Sequence, residues 1–299
     1  MLPSHPAGAL LLTNPNQIRY PENHHLSKLD RTETFMQRRR FLAAALVTSA
    51  AAIAPQTIAQ AQTARPREFY LLRRYHLQTG PQTQLTENYF ASALIPALTR
   101  LGLGPVGAFR LDFGPETPTF YLLIPGSSLD LLAQLDAHLQ QDAEFLQLAA
   151  PFWNAPATAP AFLRVESSLH VAFEGWPKLV LPPATALHAK RVFQLRVYES
   201  PSNQDHIRKI EMFHRGEFDF FKNAGFHSVF FSDTLIGPRL PNLTYMLSSA
   251  SAQDLDNEWA AFVSDPAWIK LRSSPRYAFE EIVSNVSNLI LSPLSASQI

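Results

Sequence analysis

An α+β fold in two tandem units, each running strand–helix–strand–strand–helix–strand, is what the sequence predicts. Two observations carry it. The first is internal repetition: with the halves set side by side at an offset of 123, Tyr75 falls on Tyr198, Gly102 on Gly225 and Gly114-Pro115 on Gly237-Pro238. Pro118 likewise falls on Pro241, Ala137 on Ala260 and Asp142 on Asp265, with no gap required. These residues set backbone geometry, so tandem duplication explains them better than coincidence. The second is that hydrophobic periodicity switches between two and about 3.6 in the same order in both halves. This order is the ferredoxin-like (βαββαβ) plan, in which helices cover one face of an antiparallel sheet. The other face must also find cover, and two such sheets in one chain are expected to pack face to face as an internal pseudo-dimer.

The second half shows the plan most clearly. Arg191 to Tyr198 alternates, with Phe193, Leu195 and Val197 on one face and Gln194, Arg196 and Tyr198 on the other. From Ser202 to Asn223, apolar residues recur at helical spacing, and Gly225 is placed to end that helix in a left-handed turn. Phe226 to Leu235 is aromatic and β-branched; Gly237-Pro238 then turns the chain into a strand at Leu243 to Leu247. A helix follows with Leu255, Trp259 and Phe262 on one stripe, and Ser264-Asp265-Pro266 supplies a cap and a first-turn proline for a short restart toward Leu271. The last strand is expected within Tyr277 to Leu291.

The first half repeats this: a strand near Glu68 to His76, a helix near Gln82 to Leu101 interrupted at Pro96, and strands near Val106 to Phe113 and Thr119 to Ile124. A helix near Leu129 to Gln147, a Pro/Ala connection at Pro151 to Pro160 and a final strand near Phe162 to Phe173 complete it. The expected boundaries are residues 67–175 for the first domain, 176–190 for a linker and 191–295 for the second domain.

Residues 1–35 carry four prolines and a polar run without sustained periodicity, and read as unfolded. Met36-Gln37-Arg38-Arg39-Arg40-Phe41-Leu42, an alanine-rich apolar run and Ala59-Gln60-Ala61 then have the layout of a cleavable export signal over residues 36–61. The Arg38-Arg39-x-Phe41-Leu42 order resembles a bacterial twin-arginine signal, although Gln37 departs from it. The expectation is an exported protein, periplasmic or extracellular, with translation starting at Met36 and no stable membrane span after cleavage.

Composition bounds the function. Basic and acidic residues are balanced at 25 each, so there is no general drive toward nucleic acid. The absence of cysteine excludes disulfides, thiolate metal sites and a cysteine nucleophile. A His-Glu-x-x-His pair, a phosphate-binding glycine loop, a nucleophile elbow and a dinucleotide fingerprint are all absent.

Gln194-Leu195-Arg196-Val197-Tyr198, Gly225, Leu240-Pro241-Asn242 and the Trp259-x-x-Phe262-x-x-Asp265-Pro266-x-Trp268 pattern together resemble the NIPSNAP family. The resemblance covers about residues 190–295 well and 67–175 weakly; in the first half only the helix frame and Asp142 persist. It implies a dimeric α/β-barrel fold and brings no established catalytic residues. Barrels of this general kind include small-molecule monooxygenases and haem-binding enzymes, an analogy of fold alone.

If Phe193, Leu195 and Val197 face the helices, then Gln194, Arg196 and Tyr198 face the space between the sheets, as do their counterparts Leu71, Arg73 and Tyr75. Two Arg-x-Tyr pairs in one interior suit an anionic or aromatic ligand. The competing expectation is that each arginine pairs with a carboxylate such as Asp233 or Asp112 and satisfies a polar interface. His227 joins these as a ligand candidate, whereas His206 and His214 are too far apart along the chain to chelate one ion and are expected on a helix surface. No metal site is predicted, for these or for His24-His25. Most of the clustered phenylalanines, Trp259 and Trp268 are expected to be core. The leading expectation is therefore a ligand- or partner-binding protein without an assigned reaction and without a cofactor. Its alternatives are a barrel-type monooxygenase or haem-linked oxidoreductase and a structural oligomerisation module; a homo-oligomer is compatible with each.

Overall fold

The structure, a computed structural model, describes residues 66–299. The segment expected to be an export signal, the residues before it and His24-His25 lie outside that range. The first half runs β1 (Phe69–His76), α1 (Pro81–Tyr89), a π-helical turn (Phe90–Leu94), α2 (Ile95–Arg100), β2 (Gly107–Phe113), β3 (Thr119–Gly126), α3 (Leu129–Ala133), α4 (Leu135–Leu139), α5 (Ala143–Trp153) and β4 (Arg164–Ala172). After the short α6 (Pro183–Ala186) come β5 (Val192–Glu199), α7 (Asn203–Met212), a second π-helical turn (Phe213–Glu217), α8 (Phe218–Ala224), β6 (His227–Ile236), β7 (Asn242–Ser249), α9 (Ala252–Ser264), α10 (Pro266–Arg272), α11 (Phe279–Ile282) and β8 (Asn285–Pro293).

Several of these boundaries follow from local chemistry. Ser202, Ser251 and Asp265 cap α7, α9 and α10 by accepting first-turn N–H groups, and Gly225 ends α8 with φ 106°. The interruption expected at Pro96 takes the form of the π-helical turn just before it. The single helix expected over Leu129 to Gln147 is instead three. Asp142 accepts from the Phe145 N–H at 2.9 Å and starts α5 afresh, and α5 continues through Pro151 to Trp153. The last strand begins only at Asn285, because Ala278 to Val283 closes one helical turn first.

Within each half the strands lie in the order 4-1-3-2, that is β4-β1-β3-β2 and β8-β5-β7-β6. The halves do not lie face to face as expected. Their edges join, β2 to β8 and β4 to β6, both antiparallel, and the eight strands form one closed barrel. Closure pairs edge N–H and C=O groups, at Leu169 to Ala172 of β4 and Phe109 to Phe113 of β2, that two separate sheets would leave open.

The inner faces of the strands line the barrel and much of the outer faces lies under the helices, and the faces are the reverse of the expected ones. Phe193 and Leu195 point into the barrel with Tyr70, Phe109, Leu111, Phe230, Met246 and Leu291. Gln194, Arg196 and Tyr198 lie under the helices, as do Leu71, Arg73 and Tyr75. One end of the barrel is filled by edge-on or tilted ring pairs, Tyr70 with Phe230 at 5.0 Å and Phe109 with Phe193 at 4.8 Å, and by the buried Ile299. The β2–β3 and β6–β7 turns stand at the opposite end.

The layer under the second-half helices contains a fully buried ion pair, Lys209 with Glu217. The rings of Phe213 and Phe279 lie 4.6 and 5.1 Å from the ammonium, and those of Tyr198 and Trp268 complete the enclosure. Burial pushes the Glu217 carboxyl up, and Lys209 opposes that shift. Removing one member of such a pair strands the other charge in apolar surroundings. Lys209→Met should therefore lower unfolding stability by about 3 kcal/mol or more, and the double variant Lys209→Met/Glu217→Leu should recover most of it. Urea denaturation of the three proteins tests this; a single variant as stable as the parent would contradict it.

Candidate functional site

At the open end of the barrel a cavity of about 230 Å³ remains between the strands. Leu72, Leu195, Val197 and Leu289 form its apolar side. Ser168, His170, Thr234 and Asn242 form its polar side, at the seam where β4 meets β6. At the rim, Arg74 pairs with Glu166, which also accepts from Arg164 at 3.1 Å. Burial opposes ionisation of Glu166, but Arg74 and Arg164 hold its carboxyl below the usual range.

The two seams of the barrel occupy equivalent places and are built from different residues. Tyr75 pairs with Val165, and Tyr198 pairs with Val286, so β4 and β8 correspond with Ser168 at the place of Leu289 and His170 at that of Leu291. His170 faces Thr234 across one seam; Leu291 faces Leu111 across the other. Leu111 and Thr234 are themselves 123 positions apart. One seam is thus packed with leucine where the other presents hydroxyl and imidazole groups to the cavity. A barrel of this size closes with leucines at those places, so the polar set is not required for closure.

The polar set is fully hydrogen-bonded, and its directions follow from one end. Asn242 Nδ2 donates to the carbonyls of Pro238 and Arg239 at 2.9 and 3.0 Å, which leaves Oδ1 as the acceptor. Thr234 Oγ1 donates to that oxygen at 2.6 Å. With its proton so committed, Thr234 Oγ1 accepts from His170 Nδ1–H at 3.0 Å. His170 Nε2 is then bare and accepts from the Ser168 hydroxyl at 2.7 Å. Burial pushes the His170 imidazole down to about 4, with Asp233 opposing, so the ring is neutral near pH 7.

The residues singled out from sequence are placed elsewhere. The Arg73 guanidinium donates to Asp136 at 2.9 Å, and Tyr75 packs edge-on against Phe90 and Phe152. Arg196 donates to Tyr198 Oη at 3.0 Å and lies over Trp259, 4.3 Å from the ring centroid, while Gln194 Oε1 accepts from Trp259 Nε1 at 2.6 Å. Neither arginine pairs with Asp233 or Asp112. Asp136 and Trp259 are 123 positions apart, so the halves hold equivalent arginines by an ion pair in one and a cation–π contact in the other. His227 is exposed at the start of β6, near Ser249 and Glu258, and far along the strand from Thr234. His206 bonds Asp233 at 2.8 Å, and His214 bonds the Ile210 carbonyl at 2.9 Å. Among the described residues no group of three His, Asp or Glu side chains is arranged to hold a metal ion.

Sequence reasoning missed Ser168, His170 and Thr234. A histidine inside the apolar run Leu169-His170-Val171-Ala172-Phe173 was the available signal, since a buried imidazole needs partners. The offset of 123 concealed the contrast, because β4 and β8 correspond at an offset of 121.

A neutral buried imidazole makes stability depend on pH with a definite sign. The unfolded histidine titrates near 6.5 and the folded one at about 4, so the unfolded chain binds more protons between those values. The stability present above pH 6.5 is lost as pH falls toward 4, by on the order of 3 kcal/mol from this group. His170→Leu, which copies the other seam, should show a smaller loss between pH 7 and 4.5 in urea denaturation. An identical acid loss in both proteins would contradict a neutral His170.

The NIPSNAP family model matches residues 193–298. No curated protein sequence matches the chain. Among solved structures, a candidate monooxygenase from Lactobacillus acidophilus NCFM is similar with TM-score 0.50 and 9% identity, over 78% of this chain and 97% of that one. At that identity the likeness is one of fold. A NIPSNAP-like domain protein from Burkholderia xenovorans aligns with TM-score 0.33 and 18% identity, over 36% of this chain and 89% of that one. A NIPSNAP family protein of unknown function from Agrobacterium tumefaciens aligns with TM-score 0.31 and 18% identity, over 36% and 91%. The residues that match the NIPSNAP family model, 193–298, are those that contribute β5 to β8 to the barrel.

Proposed function

We propose that this is a small-molecule-binding protein whose site is the cavity at the open end of the barrel. The observation that carries the reading is the difference between the two seams: Ser168, His170 and Thr234 stand where the equivalent seam has Leu289, Leu291 and Leu111. A polar wall opposite an apolar one, in a concave site of limited volume, suits a compact molecule with an apolar body and one polar end. Arg74 and Arg239 at the rim are paired with Glu166 and Glu199, so the rim favours a neutral polar end.

Two further parts of the reading belong with this one. The halves are tandem copies of one domain, supported by the recurrence of β1 as β5, β3 as β7 and the π-helical turn Phe90–Leu94 as Phe213–Glu217, all at the offset of 123. The protein is exported, supported by the twin-arginine-like order at Arg38 to Leu42 and the alanine-rich run after it.

Filling the polar seam tests the binding site. Ser168→Leu/His170→Leu copies the leucine seam and should weaken binding of a small apolar fluorophore at least tenfold, with the thermal midpoint unchanged or raised. Native mass spectrometry of the parent protein should show a retained or added small molecule that the variant lacks. Equal binding by both proteins would place the ligand elsewhere. Oxygen-dependent turnover of the bound molecule would replace the binding reading with a monooxygenase one.

A further inference from the structure

Resting on the cavity as a ligand site, we infer that Ser168 is a nucleophile and that the cavity accepts small carboxylic esters, which it cleaves by acyl transfer. Ser168 Oγ lies 2.7 Å from His170 Nε2, on the same face of β4, with both side chains on the cavity wall. The neighbouring turn fixes the direction of that bond. Carbonyls of Pro238 and Arg239 orient Asn242, Asn242 orients the Thr234 hydroxyl, and Thr234 takes the Nδ1 proton of His170. The tautomer with a bare Nε2 is the one a general base needs. Thr234 takes the place that a carboxylate holds in the familiar serine triad, orienting the ring without a charge.

The turn is also shaped to admit Ser168. A Cβ at Gly237 would lie 2.9 Å from Ser168 Cβ, so a side chain there would press on the serine. Leu72 faces Ser168 across β1 and β4, which makes Arg74 the diagonal neighbour of the serine on the same inner face. Its guanidinium, paired with Glu166 and lining the same cavity, is the cationic donor assigned to an oxyanion formed on a carbonyl beside Ser168.

Ser168 Oγ attacks the ester carbonyl carbon while its proton passes to His170 Nε2. Collapse of the tetrahedral adduct breaks the bond to the leaving oxygen, which takes that proton and departs as an alcohol. Water then gives a proton to Nε2 and attacks the acyl carbon, and the proton returns to Ser168 Oγ as the carboxylic acid leaves. Nothing is oxidised or reduced.

The test uses diisopropyl fluorophosphate and p-nitrophenyl acetate as probes on the purified protein. The expected result is one covalent diisopropylphosphoryl group per chain, located on Ser168 by peptide mass spectrometry, and a nitrophenol burst of about one per chain. Ser168→Ala should abolish both. Thr234→Val removes the acceptor that sets the tautomer and should slow labelling at least tenfold; it also strands His170 Nδ1–H and Asn242 Oδ1, so its thermal midpoint should fall, and Thr234→Ser, which keeps the hydroxyl, should restore both labelling and midpoint. An unlabelled parent protein, an adduct on another residue, or Thr234→Val labelled as fast as the parent would each overturn the inference. Failure to label together with retained fluorophore binding overturns the nucleophile alone; loss of both overturns the binding site as well.

Discussion

The hydrogen bonds that join β2 to β8 and β4 to β6 are the constraint on which the rest of the structure depends. A four-stranded sheet in the order 4-1-3-2 has two open edges and one face covered by helices. By joining both edges of one such sheet to those of another, the chain pairs the exposed backbone groups and encloses the uncovered faces together. The enclosed space is small, so aromatic and leucine side chains fill one end of it completely. What remains at the other end is a cavity whose walls come from strands of both halves.

Closure also explains how two equivalent junctions come to differ. Packing of the filled end secures the barrel, and the leucine seam between β2 and β8 adds to it. The β4–β6 seam is then free to carry polar groups, provided that each finds a partner. The carbonyls of Pro238 and Arg239 supply the end of that chain of partners, and the order Asn242, Thr234, His170, Ser168 follows from them. An imidazole buried in this way is held neutral with one nitrogen turned to a hydroxyl on the cavity wall.

The layers beneath the helices illustrate a different use of the repeated plan. Arg73 and Arg196 hold the same strand position and the same orientation, yet one is neutralised by Asp136 and the other rests on Trp259. In the second half the neighbouring Lys209 and Glu217 place a further ion pair among rings. These charges lie outside the barrel cavity and are engaged with residues of their own layer.

By itself the sequence determined the order of elements and most of their ends. Those properties are local: the period of a strand, the cap at Asp265, the left-handed turn at Gly225 and the paired Gly-Pro turns need only nearby residues. It also separated the two faces of β5 correctly into Phe193, Leu195, Val197 and Gln194, Arg196, Tyr198. Which face turns inward was decided only by the tertiary structure, because in a closed barrel under helices both faces are buried and alternation no longer distinguishes core from solvent. The site was decided there too. Ser168 and His170 meet Thr234 and Asn242 only where β4 from one half is hydrogen-bonded to β6 from the other. No spacing along the chain records a contact made by the closing of a barrel.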